Sequence, residues 1–187
     1  MNQPIDHTVL KSQEFMASNS IDGWLIYDYR YSNPIMEDTI GYIPNMTRPY
    51  WFWIPSDGQP LILSSTVDIE RFPQNNIKRL SWSSRVEMID VLNKTLLTSK
   101  TIAMEYSPNC ELPRVSRVDA GTIELVRQSG VDVVSSADLF QYSYNSEFFV
   151  HLCIHSNFYL RGFLHSSLHL IVLEVLLLKK SQISSLD

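Results

Sequence analysis

The sequence predicts an α/β domain, a mixed β-sheet of about six strands flanked by helices, followed by a tail of different character. Three observations carry this reading. Short apolar runs alternate with segments of helical period, the order expected of a layered α/β domain. Two of the runs flank a turn containing Asp57-Gly58, so at least one strand pair is antiparallel and the sheet is mixed. The composition also changes abruptly near residue 142: 29 of the first 142 positions are charged, but only 6 of the last 45.

Taken in order, Asp6 is expected to cap a short first helix with Val9, Leu10, Met16 and Ala17 on one face. Asn19-Ser20 breaks it, and Gly23 marks a turn into a strand over residues 24–27. Residues 31–47 carry Asn33-Pro34, Gly41 and Pro44, and read as a loop with at most a helical turn. The aromatic run Tyr50-Trp51-Phe52-Trp53-Ile54 predicts a strand packed on both faces. Beyond the turn, residues 61–63 complete a hairpin with it, and residues 66–76 hold at most a short helix stopped by Pro73.

A weaker strand follows over residues 77–80. Ser84 and Glu87 then form a capping box, behind which Val86, Ile89, Leu92 and Leu96 recur at helical spacing, so a helix is expected over 85–97. Residues 101–105 and 131–134 read as strands, with a helix over 122–128 between them and Gly130 as its stop. Ser135-Ser136-Ala137-Asp138 caps the start of a last helix at Leu139-Phe140.

A net charge of −5 with no basic cluster argues against a nucleic-acid partner. The two cysteines, Cys110 and Cys153, follow no metal or disulfide pattern, and a reducing, cytoplasmic setting is the simplest expectation. The N-terminus lacks the basic and apolar parts of a signal peptide, and no apolar run is long enough for a membrane span.

Several segments together resemble one family. Gly23-Trp24-Leu25-Ile26-Tyr27-Asp28-Tyr29-Arg30-Tyr31-Ser32-Asn33-Pro34 looks like the opening signature of a group of Xaa-Pro aminopeptidases. Thr47-Arg48-Pro49-Tyr50-Trp51-Phe52-Trp53-Ile54-Pro55 is similar to the strand that follows it. Ala103-Met104-Glu105-Tyr106-Ser107-Pro108, Pro113-Arg114-Val115-Ser116-Arg117-Val118-Asp119-Ala120-Gly121-Thr122 and Val133-Val134-Ser135-Ser136-Ala137-Asp138-Leu139 resemble further blocks in the same order. The resemblance, over residues 5–142, is to the N-terminal domain of creatinase/prolidase-type metallopeptidases.

That resemblance implies a ribonuclease H-like N-terminal domain ahead of a separate catalytic domain. The catalytic domain would bind two divalent ions and hydrolyse X-Pro peptide bonds. The N-terminal domain would carry no metal ligand, would assist dimerisation, and would shape access to a neighbouring active site. The resemblance stops near residue 142, and the expectation is truncation there, with 143–187 read in another frame. The alternatives are a working Xaa-Pro aminopeptidase, as the family name suggests, or a regulatory partner that pairs with a full-length subunit.

The residues themselves offer little catalytic chemistry. His7 is the one histidine before the tail, so no serine or cysteine nucleophile has an evident base partner. Asp28, Glu37 and Asp38 are close in sequence, but a solvated loop explains them better than a metal site. In the tail, His151/His155 and His165/His169 have helical spacing, yet Leu152 stands where a zinc-peptidase glutamate is needed. The Leu-rich run over 168–178 is expected to promote association. No cofactor is expected in this chain. The candidate substrate-binding or dimer-contact residues are Asp28, Arg30, Asn33 and Arg48, with pairing of Asp28 to an arginine as the structural alternative.

Overall fold

The structure, a computed structural model, describes residues 3–73 and 77–144. The tail histidines, Cys153 and the Leu-rich run lie outside the described residues. Six strands form one mixed sheet in the order β4-β3-β2-β1-β5-β6. They are β1 (Gly23–Asp28), β2 (Tyr50–Pro55), β3 (Leu61–Ser65), β4 (Lys78–Trp82), β5 (Thr101–Met104) and β6 (Asp132–Ser135). β2 is antiparallel to both β1 and β3, which gives the expected hairpin, while the β3–β4, β1–β5 and β5–β6 pairs are parallel.

Helices cover both faces, so the central strands read as unbroken apolar runs and every residue of β1 is buried. Residues 25, 27, 51, 53, 63, 102 and 104 point to one side, where they meet α3 (Arg85–Leu96) through Leu92 and Leu96. On that side α4 (Ala120–Arg127) adds Ile123 and Val126. Aromatic rings fill this layer, with Trp51 5.6 Å from Tyr27 and 5.3 Å from Trp82 between centroids. α1 (Gln3–Asn19) packs against β1 and β2 together with α2 (Pro34–Ile40) and α5 (Ala137–Ser143). Polar contacts tie these three helices together: Ser12 Oγ lies 2.9 Å from Ser143 Oγ, and Tyr144 hydrogen-bonds Thr39.

Three local expectations need correction. The first helix spans 17 residues and starts at Gln3, so Asp6 lies inside it and does not cap it. Residues 31–47 contain a real helix, α2. Asn33 is its N-cap and accepts the Ile35 amide, Pro34 occupies the first turn, and Gly41 closes it at φ +85°. Val86, expected on the buried face of α3, is 78% exposed. Its position in the first turn, next to the cap, leaves Leu92 and Leu96 to carry the burial. The cap itself holds: Ser84 Oγ accepts the Glu87 amide at 3.2 Å, and Glu87 reaches back to the Ser83 amide at 2.7 Å.

Gly23 is required by packing. A Cβ placed there would fall inside the Trp53 indole, which lies across the start of β1. Gly23→Ala is therefore expected to cost about 1–3 kcal/mol of stability through overpacking. Chemical denaturation measures it, and an unchanged midpoint would mean that Trp53 does not lie over Gly23.

Candidate functional site

β1 ends in a tight polar turn, and all four candidate residues lie in or beside it. Asp28 is buried at the end of the strand, directly opposite Tyr50 in the β1–β2 register. Its Oδ1 accepts the amides of Ser32 at 2.8 Å and Asn33 at 3.1 Å, and its Oδ2 accepts the Tyr50 hydroxyl at 2.7 Å. The structural alternative, pairing with an arginine, is not seen among the described residues: Asp28 pairs with the turn and with Tyr50. Burial first, and then the adjacent Asp28 carboxylate, push the Tyr50 hydroxyl well above the usual phenol range. Glu37 and Asp38 lie on α2, not in a loop with Asp28.

Asn33 is equally committed. Its Nδ2 donates to the Tyr27 carbonyl at 2.8 Å and to Glu105 Oε2 at 2.9 Å, while its Oδ1 caps α2. Between these anchors Arg30 and Tyr31 both sit at φ +59°, a left-handed conformation that costs about 1 kcal/mol or more per non-glycine residue. Arg30 is exposed, and its guanidinium lies 5.0 Å from the Tyr29 ring centroid. Tyr31 stacks on Tyr42 at 5.2 Å, and its hydroxyl accepts the Met46 amide at 2.9 Å.

Arg48 is exposed on the neighbouring loop, with Nη1 donating to Thr47 Oγ1 at 2.9 Å. That loop is held by Asp68, a residue the sequence reading did not single out. The buried Asp68 carboxylate accepts the amides of Thr47 and Arg48 at 3.1 and 3.0 Å and the Arg71 Nε at 2.9 Å. Burial acts to raise its pKa, but bonds from Thr47, Arg71 and Arg48 outweigh it and hold the carboxyl below its ordinary value. The structure thus brings Asp28, Asn33 and Arg30 into one turn, and places Arg48 at the loop that leads into β2.

On the α3/α4 side, an open cleft of about 580 Å³ has Tyr27, Trp51, Met88, Leu125, Arg85 and Asp119 among its lining residues. Asp119 is occupied as the cap of α4, accepting the Thr122 amide at 2.9 Å. Among the described residues, no three His, Cys, Asp or Glu side chains converge as metal ligands do. No described helix is long and apolar enough to cross a membrane.

No protein-family model and no curated protein sequence matches the chain. Solved structures do. The prolidase of Pyrococcus horikoshii OT3 aligns at 21% identity with a TM-score of 0.52, over 72% of this chain and 33% of that one. Dipeptidase PepE of Mycobacterium ulcerans aligns at 13% identity with a TM-score of 0.59, over 74% of this chain and 36% of that one. The creatinase/prolidase N-terminal domain of an X-Pro dipeptidase from Streptococcus pyogenes aligns at 10% identity with a TM-score of 0.55, over 74% of this chain and 98% of that domain. The chain spans about a third of the length of the two whole peptidases and nearly all of the isolated domain. Its described part has the fold of the creatinase/prolidase N-terminal domain.

Asp68→Asn would set an amide NH₂ against donors that need an acceptor, and should cost about 2–3 kcal/mol at neutral pH. Because the folded carboxyl titrates below the ordinary value of 3.8, its contribution is present above that value and is lost as pH falls through the lower one. Urea titrations of wild type and variant should therefore converge in acid. Equal stability at neutral pH would show that Asp68 does not hold the loop.

Proposed function

We propose that this domain is a non-catalytic accessory domain of the Xaa-Pro-cleaving metallopeptidase type. In this reading it acts in subunit pairing and in shaping access to a peptide-cleaving site. One observation carries the reading: the likeness to a creatinase/prolidase N-terminal domain extends over 98% of that domain. The chemistry of the side chains supports it. Asp28 and Asn33 direct their polar atoms to the backbone and to buried partners, so their part is to build the turn. The turn presents Arg30, and Arg48 stands exposed beside the start of β2, so these two arginines are the contact residues.

Hydrolysis of an X-Pro bond by the two-metal route needs several carboxylates, usually with a histidine, around the ions and an activated water. The described residues do not fit such a site, because their acidic side chains do not converge. The ions and the peptide belong to a catalytic domain, on the same polypeptide as this domain or in a partner peptidase.

Two measurements test the proposal. The purified chain, incubated with manganese ions and an X-Pro dipeptide, should leave the peptide intact; metal-dependent release of proline would overturn the non-catalytic role. Light scattering coupled to size exclusion should find a dimer, and Arg30→Glu combined with Arg48→Glu should weaken it at least tenfold, about 1.4 kcal/mol. A wild-type monomer that also fails to associate with an intact X-Pro peptidase would overturn the pairing role.

A further inference from the structure

Glu105 follows β5 and is wholly buried. Three side-chain donors from three separate elements converge on its carboxyl, beside the Tyr27 backbone. Trp24 Nε1 of β1 reaches Oε1 at 2.7 Å, Asn33 Nδ2 at the cap of α2 reaches Oε2 at 2.9 Å, and Ser136 Oγ at the start of α5 reaches Oε1 at 3.2 Å. Among the described residues no ion pair reaches it. The titratable groups around it are Asp28 and Tyr50 through the turn, Tyr144 after α5, and Asp38 of α2 beside Tyr144. All are acids, so none stabilises a charge on Glu105. α1 faces the end of α5 with Ser12, which does not titrate.

The same carboxyl holds a strained segment. Asn33 ties Glu105 to the turn in which Arg30 and Tyr31 adopt left-handed backbone; the turn is held as well by Asp28, by the Asn33 bond to the Tyr27 carbonyl and by the Tyr31 hydroxyl on the Met46 amide. We propose that Glu105 is a proton-controlled latch: protonated, it holds the turn from Asp28 to Asn33 closed, and on losing its proton it lets the turn open and water reach the carboxylate. The closed state accommodates the acid form, because the Ser136 hydroxyl can accept the carboxyl proton as readily as it can donate.

Burial, opposed by the bonds from Trp24, Asn33, Ser136 and the Tyr27 backbone, pushes the Glu105 carboxyl up to about 7. In the opened, hydrated turn it would return to its ordinary value of 4.5. The closed turn is therefore fully stabilised below the ordinary value, loses stability as pH rises towards 7, and levels off above. Across that window the opening constant should rise on the order of a hundredfold. This inference rests on the network alone and holds whether or not the domain serves a peptidase.

Hydrogen exchange followed by NMR on the whole chain tests it, with rates corrected for intrinsic exchange. At pH 5 the amides of Ser32 and Asn33 and the indole N–H of Trp24 should exchange through a smaller opening than the Phe52 amide in β2. At pH 8 their protection should be on the order of a hundredfold lower. Glu105→Gln should remove this pH dependence, and a carboxyl ¹³C titration of the wild type should give a midpoint near 7 even if that variant does not fold. The proposal is overturned by equal protection at the two pH values, or by turn amides that exchange only with the β2 amide. Persistence of the effect in the variant, or a carboxyl midpoint at the ordinary glutamate value, overturns it as well.

Discussion

The domain is held at its centre by one acid side chain, Glu105. An isolated buried carboxyl is costly, and it is tolerated only where its oxygens are hydrogen-bonded. Its donors lie 81, 72 and 31 residues away along the chain, in β1, at the cap of α2 and at the start of α5. A displacement of any of these elements would leave a buried oxygen or a buried N–H unpaired. The network therefore fixes where the helices of one face stand on the sheet, in a way that non-directional apolar packing cannot.

The other face is organised by volume. Trp51, Trp53, Trp82 and Tyr27 fill the layer beneath α3 and α4, and the close approach of Trp53 to β1 leaves no room for a side chain at position 23. Among the described residues the Trp51 indole N–H in this layer is buried without a partner, as is the Ser64 hydroxyl of β3. Hydrogen bonds specify the α1/α2/α5 face, and shape specifies the α3/α4 face.

This division explains what could be read from the sequence. The central strands were legible because burial on both faces makes them apolar runs, and α3 because Ser84 and Glu87 carry a local signal. α2 was missed because Asn33-Pro34 is locally ambiguous: the same pair closes a strand or opens a helix. The bonds from the Asn33 amide to the Tyr27 carbonyl and to Glu105, 72 residues on, orient Asn33 so that its carbonyl oxygen caps the helix. Glu105 and Asp68 were missed for a related reason. A single acid after a short strand or in a loop has no periodicity to mark it, and its partners are distant in sequence.

The stretch from Gly23 to Pro34 combines both demands, and this accounts for a family-like segment whose polar side chains are turned to the interior. Gly23 answers to the Trp53 ring, Asp28 to Tyr50 and the turn amides, Asn33 to Glu105 and the α2 cap. Each residue type is required by something buried, and that requirement is independent of any substrate. The segment therefore identifies a fold, consistent with structural likeness at identities of 10–21%. Arg30 is different, because no buried group requires a guanidinium at that position. It is held in left-handed backbone, and its guanidinium lies over the Tyr29 ring, which is not itself fully buried. In a turn so tightly specified, the residue that the interior leaves unexplained is the one to examine for function.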